Sequence, residues 1–182
     1  MRSADLTTLF RTALIFVIAY MIVVRFDALT TVFVIAVMFA LDAVDGKLAK
    51  WDKKRLGSAS KYGPRLDVAS DRIIEYVFWI VYSFLGVIPV FVLFLIVIRH
   101  SFVDALMGAK GTSSVMKTRI ARILYSSDLF RGGVNVVKWI TFSYLALVYI
   151  SGWPLWIGYA LTAILVIYIM VRGIAEAWEA FA

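Results

Sequence analysis

Two pairs of aspartates are the residues of this sequence best suited to chemistry. Asp42 and Asp45 are three residues apart, and Asp67 and Asp71 are four apart, so each pair lies on one face of a helix, about 60° apart or less. The first pair closes one apolar run and the second pair opens the next. We therefore expect the two helices to form a hairpin that brings all four carboxylates to one level.

Four bare carboxylates at a membrane boundary would repel one another. Each like-charge contact at about 4 Å costs roughly 1 kcal/mol in water and about 4 kcal/mol at the effective dielectric of a protein surface. Hard divalent cations offset this repulsion, and Mg²⁺ typically binds a few carboxylates together with substrate phosphates. Two such ions recur in phosphoryl chemistry. The pattern favours a metal site for phosphoryl chemistry over aspartates that only cap helices or pair with nearby basic residues.

The elements that carry these aspartates are predicted to be membrane helices. Of the 182 residues, 63% are hydrophobic and only 17% are charged, whereas a soluble domain is nearer half apolar and a quarter charged. A monomeric globular enzyme of this size could not bury so much apolar surface. The sequence predicts an all-α integral membrane protein, a single domain over residues 1–182, with six transmembrane helices at residues 12–24, 28–41, 73–88, 90–98, 134–150 and 153–171.

Short and long connections alternate between these runs. Residues 25–27, 86–89 and 151–154 form tight turns, whereas residues 45–65 and 99–133 are long and polar. The long connections carry seven and six basic residues, and the short turns together hold only Arg25.

Basic residues mark the cytoplasmic side of a membrane protein. We therefore expect a multi-pass protein of the cell membrane with both termini and the active site on the cytoplasmic side. Short interfacial helices should flank the spans, one of them the tail at residues 173–182, and His100 is expected to be an interfacial residue. Topology and contact with anionic lipids account for most of the net charge of +7, so nucleic acid is not a predicted partner.

The run that holds the aspartates resembles the signature of the CDP-alcohol phosphatidyltransferases. Eight of the nine defined positions match, and the resemblance covers nearly the whole chain. The matching residues are Asp42-x-x-Asp45-Gly46-x-x-Ala49-Lys50 and Gly63-x-x-x-Asp67-x-x-x-Asp71. Upstream, Thr8-x-x-Arg11 is similar to a weaker amino-terminal element of the family.

The resemblance implies transfer of a phosphatidyl-type group from a CDP-linked lipid to a small polar alcohol, with release of CMP. It implies two Mg²⁺ or Mn²⁺ ions held by Asp42, Asp45, Asp67 and Asp71. Asp71 is also the implied catalytic base, which accepts the proton of the acceptor hydroxyl. The implied CDP-binding residues are Gly46, Ala49, Lys50, Ser60 and Gly63. The resemblance further allows a homodimer.

Two departures from the family pattern concern the donor diphosphate. Lys50 stands where the family has Arg, so a planar fork for two phosphate oxygens becomes a point charge. Residues 51–62 also form a longer insertion between the two halves than the family pattern suggests, and Arg55 within it is a candidate to replace the fork.

Basic residues of the second long connection are candidates for binding the acceptor. Topology alone would also explain them, but a phosphate on the acceptor would form strong charge-assisted hydrogen bonds with such residues. This favours a phosphorylated acceptor such as inositol phosphate or glycerol phosphate. The candidates are Arg131, beside two glycines, followed by Lys117 and Arg122.

Two other classes remain as alternatives. An ion-binding transporter or channel subunit would also carry acidic residues in its spans, although these would be expected near the middle of the bilayer. A metal-dependent intramembrane prenyltransferase would also use paired aspartates, but without this Asp-Gly-x-x-Ala step.

Overall fold

The computed structural model describes residues 3–56, 62–107 and 128–181. These ranges contain six α-helices and no strand, so the predicted all-α fold is confirmed for them. The helices are α1 (Ser3–Val23), α2 (Ala28–Leu56), α3 (Gly63–Phe84), α4 (Val90–Met107), α5 (Asp128–Ser151) and α6 (Leu155–Phe181). Three stretches are long and apolar enough to cross a membrane, namely Asp5–Val23, Gly133–Ser151 and Leu155–Trp178.

Local signals end the helices at the short turns. Asp27 caps α2, because its Oδ2 accepts hydrogen bonds from the backbone N–H and the hydroxyl of Thr30, both at 2.8 Å. These hydrogen bonds stabilise the charged form and lower the pKa of Asp27. Gly86 and Gly152 follow α3 and α5 with φ of 70°, a conformation that glycine adopts without steric cost.

Several helices run well past their apolar stretches. Polar residues follow the apolar runs within α2 and α4. The tail was expected to be a separate interfacial helix, and this prediction is wrong, because α6 continues without a break to Phe181. Glu176 is buried in that last segment and forms an ion pair with Arg99 of α4 at 2.6 Å. The ion pair explains why the end of α6 packs against the bundle.

The six helices pack in a ring, in the order α1, α2, α5, α6, α4, α3 and back to α1. The three pairs joined by short turns are neighbours, as predicted. However, α2 and α3 do not form the expected hairpin, since each packs more closely on α1 than on the other.

An aromatic core joins opposite sides of the ring. Phe78 of α3 stacks on Phe142 of α5 with ring centroids 4.4 Å apart. Tyr82 donates a hydrogen bond to the carbonyl oxygen of Phe142 at 2.5 Å. This core lies next to the charged end of the bundle, where the aspartates are found, and fixes α3 relative to α5.

Candidate active site

Three of the four predicted aspartates converge at one end of the bundle. One carboxylate oxygen from each of Asp42, Asp67 and Asp71 lies within 4.8 Å of the other two. Asp42 comes from the second half of α2, and the other two from the first half of α3. Asp45 lies in α2, but its side chain is outside the described part of the structure. We call the three converging groups the carboxylate cluster.

A buried arginine from α1 lies among the carboxylates. Arg11, whose side chain is 3% exposed, contacts Asp42 through Nη1, and its Nη2 lies 2.7 Å from Asp71 Oδ1 and 3.5 Å from Asp67 Oδ1. The sequence analysis noted Arg11 only as part of an amino-terminal element and gave it no role toward the aspartates. The carboxylates thus meet around α1 rather than across an α2–α3 hairpin.

Hydroxyl groups hold α1 against α3 beside the cluster. The hydroxyls of Thr12 and Ser70 form a hydrogen bond of 2.5 Å, and Ser70 Oγ also donates to the carbonyl oxygen of Thr8 at 3.5 Å. Thr8 and Arg11 are therefore the two residues of the amino-terminal element that face α3 and the cluster.

The cluster fits a hard divalent cation. Carboxylate oxygens are the ligands that Mg²⁺ and Mn²⁺ prefer, and Arg11 offers one positive charge against three negative ones. Asp67 and Asp71 remain about half exposed, at 51% and 48%, so their oxygens are accessible. Asn135 of α5 donates to Asp42 Oδ2 at 2.6 Å and orients this carboxylate.

A cavity of about 210 Å³ lies on the other side of Asp71, between α3, α4, α5 and α6. Four basic side chains, one from each helix, line it together with two carboxylates and His100. We call it the basic cavity. Its charged lining residues are Arg72, Arg99, Lys138, Arg172, Asp71 and Glu176.

Ion pairs hold all four of these basic residues, including Lys138, 2.6 Å from Glu75, and Arg172, whose Nε lies 3.5 Å from Glu176 Oε1. Arg72 forms two hydrogen bonds of 2.9 Å with Asp104. Arg99 binds Glu176 and passes over α6 at Gly173, where a Cβ would lie only 2.4 Å from Arg99 Nε and 2.7 Å from its Cγ. Gly173 therefore makes the space that lets Arg99 reach the cavity wall.

An apolar groove opens beside the carboxylate cluster on the α2 side. Its volume is about 390 Å³, and it runs between α2 and α5. Asp42 and Asn135 line it together with five apolar residues: Ala36, Phe39, Ala40, Val136 and Trp139. An apolar surface that reaches a charged cluster suits a molecule with a charged head and a lipid tail.

The remaining predicted residues are placed only in part. Gly63 begins α3, close to the carboxylate cluster in sequence. Ser60, Lys117 and Arg122 lie outside the described residues. Four others belong to described helices, but their side chains do not belong to the described part: Gly46, Ala49 and Lys50 in α2, and Arg131 in α5. Arg55 lies over the ring of Trp51, 5.1 Å from its centroid.

Charged residues that lie inside or beside the apolar runs also belong to the site and were not predicted from the sequence. Glu75 and Lys138 stand within runs, and Arg172 directly follows one. Ionisable residues in membrane segments mark functional sites by default, and this signal would have found them. The expectation that His100 is interfacial is wrong: it is buried, 1% exposed, because it packs against Glu75.

These features define a class of protein: an α-helical membrane enzyme with an acidic cluster between an apolar groove and a basic cavity. The family comparison agrees with this class. Residues 1–175 match the CDP-alcohol phosphatidyltransferases, and the chain belongs to that family. The family transfers substituted phosphate groups in phospholipid biosynthesis and generally uses a divalent metal. A comparison with curated proteins gives no match.

Proposed function

We propose that this protein transfers a phosphatidyl group from a CDP-linked lipid to a small anionic alcohol and releases CMP. The acceptor hydroxyl oxygen attacks the phosphorus that carries the lipid, and a new P–O bond forms. The P–O bond to the CMP phosphate breaks, and CMP leaves with the electron pair. The hydroxyl proton passes to Asp71. The observation that carries this proposal is the position of Asp71, in the carboxylate cluster and on the wall of the basic cavity.

The cluster supports the donor side of the reaction. Divalent ions, when bound, neutralise the charge of a diphosphate and stabilise a departing phosphate. Two ions of Mg²⁺ or Mn²⁺ are proposed, and the residues that would hold them are Asp42, Asp45, Asp67 and Asp71. Gly46, Ala49, Lys50, Ser60 and Gly63 remain the proposed CDP-binding residues.

The apolar groove supports a lipid donor. Because it ends at Asp42, a lipid whose diphosphate lies at the cluster can place its tails against α2 and α5. The tails of a membrane lipid would then stay against apolar side chains and would not be exposed to water. The groove meets the cluster at Asp42, the basic cavity meets it at Asp71, and Asn135 lines both.

The basic cavity supports an anionic acceptor. Its four basic residues face two carboxylates among the lining residues, and hydrogen bonds from Arg or Lys to phosphate are about twice as strong as neutral ones. A cavity of this size admits a small phosphorylated alcohol such as glycerol phosphate or inositol phosphate. Arg72, Arg99, Lys138 and Arg172 thus join the earlier candidates Lys117, Arg122 and Arg131.

The proposal includes the placement of the protein. A single domain over residues 1–182 would cross the cell membrane six times, with both termini and the active site on the cytoplasmic side. A homodimer is proposed from family membership alone. Membership in the family also favours the transferase over the ion-binding transporter and prenyltransferase alternatives.

An acceptor screen tests the function. Purified protein in nanodiscs is given CDP-diacylglycerol, Mg²⁺ and one acceptor at a time: glycerol phosphate, inositol phosphate, inositol or serine. We expect CMP release and a new phospholipid by mass spectrometry with a phosphorylated acceptor, and no reaction after EDTA. Turnover with serine but with neither phosphate would contradict the anionic acceptor. The absence of CMP release with every acceptor would contradict the transfer itself.

A further inference from the structure

Lys138 of α5 lies on the wall that separates the carboxylate cluster from the basic cavity. It lines the basic cavity, and it also lines a smaller pocket formed with Arg11, Asp42 and Asp71. Its side chain is 17% exposed, and its Nζ lies 2.6 Å from Glu75 Oε2. The ammonium group is therefore held between the two parts of the proposed site.

Glu75 is a buried carboxylate outside the cluster. Its side chain is 2% exposed, and it lies one helical turn beyond Asp71 on α3. Besides Lys138, it faces His100 Nε2 at 3.3 Å and accepts a hydrogen bond from Trp79 Nε1 at 3.4 Å. A carboxylate buried this deeply is retained only with such partners.

The tautomer of His100 follows from its contact with Arg99. Arg99 Nη1 lies 2.8 Å from His100 Nδ1. A guanidinium group can only donate hydrogen bonds, so Nδ1 is the acceptor and the ring hydrogen lies on Nε2, toward Glu75. The tautomer is thus assigned from the hydrogen-bonding partners.

A continuous series of contacts crosses four helices along the cavity wall. Glu176 of α6 binds Arg99 of α4, His100 connects Arg99 to Glu75 of α3, and Glu75 binds Lys138 of α5. Two cations of the wall, Arg99 and Lys138, are held by one network. Glu75 is the member that contacts two other helices at once.

We propose that Glu75 is a positioning residue for the acceptor, because it holds Lys138 against the basic cavity. This inference rests on the proposed function. Lysine has a long, flexible side chain. Without the ion pair to Glu75, the ammonium group of Lys138 loses conformational freedom each time an acceptor binds, and this loss costs binding free energy. Glu75 does not line the basic cavity, so its effect reaches the acceptor only through Lys138 and its neighbours.

The test measures KM for glycerol phosphate or inositol phosphate, whichever the wild type uses. We expect Glu75→Gln to raise acceptor KM about three- to tenfold, the range for the lost order of one long side chain. The KM for CDP-diacylglycerol and kcat at saturating acceptor should stay within about twofold of wild type. An unchanged acceptor KM in a folded Glu75→Gln variant would overturn the inference.

A double-mutant cycle shows whether Lys138 carries the effect. In the Lys138→Met background, Glu75→Gln should change acceptor KM by less than about twofold, since two residues in one network are not additive. The double variant leaves no lysine without its carboxylate. Where Glu75→Gln alone does not fold, Lys138→Met alone should raise the acceptor KM, and an unchanged KM would overturn the inference. The same KM increase in both backgrounds would overturn the role of Lys138.

Tyr82→Phe is the matched control. It removes one buried hydrogen bond between the same two helices, α3 and α5, without touching the cavity. It should lower thermal stability and leave acceptor KM unchanged, whereas an equal rise in KM would show that general loosening explains Glu75→Gln. A wild type that releases no CMP would overturn the proposed function together with this inference. A working wild type with an unaffected Glu75→Gln variant would overturn this inference alone.

Discussion

The carboxylate cluster and the basic cavity are opposite in charge and adjacent in space. The cluster joins three carboxylates to the single guanidinium of Arg11. The cavity joins four basic side chains to two carboxylates among its lining residues. Asp71 belongs to both regions. The lining residues of the two regions therefore carry opposite excess charges, and carboxylates outside the cavity lining, Asp104 and Glu75, pair with Arg72 and Lys138.

This difference shows how one site can serve two reactants that both carry phosphate. A donor diphosphate is compatible with the acidic cluster only together with divalent cations. An anionic acceptor is compatible with the basic cavity directly. In the proposed reaction, the two anions would thus be stabilised by different means, with Asp71 as the proposed base between them. Substitutions in the cluster should then lower the rate of CMP release, whereas substitutions in the basic cavity should raise the KM for the acceptor.

The largest effect is expected in the carboxylate cluster. Asp42→Asn or Asp67→Asn should lower the rate of CMP release about a thousandfold, because several kcal/mol of transition-state stabilisation depend on a bound metal. Both should also weaken equilibrium binding of Mn²⁺. Asp71→Asn should lose turnover to a similar extent with a milder loss of Mn²⁺ binding, as expected of a base.

Asp27→Asn is the control for these substitutions. It removes a carboxylate of the turn before α2, at the other end of the bundle, and Asn still caps helices well. Its rate of CMP release should equal that of wild type. Full activity in any variant of the cluster would contradict its assignment.

A smaller and different effect is expected in the basic cavity. Arg172→Met should raise the KM for a phosphorylated acceptor about 10- to 100-fold, the range for one lost hydrogen bond to a charged group. The KM for CDP-diacylglycerol should not change. A rise in donor KM instead would show that the two regions are not divided between donor and acceptor.

Gly173→Ala tests the basic cavity with a single added methyl group. The new Cβ would collide with Arg99, which must then move away from Glu176 and the cavity wall. We expect acceptor KM to rise about fivefold, less than on loss of a whole cation. Gly133→Ala is its control, because nothing lies within 4 Å of a Cβ at Gly133. An equal effect of the two substitutions would contradict the role of Gly173.

The smallest effect is expected at the Asp27 cap, outside both regions. Asp27→Ala should lower Tm slightly at neutral pH and leave both KM values unchanged. Because the pKa of Asp27 is lowered on folding, its stabilisation is complete above the unfolded pKa of about 3.9 and is lost as the pH falls through the folded pKa. The Tm difference from wild type should therefore shrink in acid. A Tm difference that stays the same at low pH would contradict the role of the charged Asp27 carboxylate in capping α2.

The acidic half of the site could be predicted from sequence because its spacing is local. Asp42 and Asp67 are each followed within four residues by another aspartate, so helical periodicity alone places each pair on one face. The pairing of helices was harder to predict. The short turns correctly predicted that the helices they join are neighbours. However, nothing in the spacing shows that Arg11 of α1 lies between α2 and α3.

The basic half was not predicted because its residues are far apart in the sequence. Arg99, Lys138 and Arg172 come from three helices and are at least 34 residues apart in the sequence. A positive-inside count treats such residues as topology signals, so their convergence is visible only after the ring of helices is assembled. The prediction of a separate helix at residues 173–182 was wrong for a related reason. Glu176 pairs with Arg99, which lies 77 residues away in the sequence.

The order of the helices also gives the site an order of assembly during synthesis. Chains fold from the amino terminus as they emerge from the ribosome, and every side chain of the carboxylate cluster comes from α1, α2 or α3, which ends at Phe84. The basic cavity requires Arg172, ten residues before the end of the chain. A nascent chain thus carries the proposed cation-binding half long before the proposed anion-binding half exists. Until α6 arrives, the half-made enzyme has the ligands for a metal and no complete cavity for an acceptor.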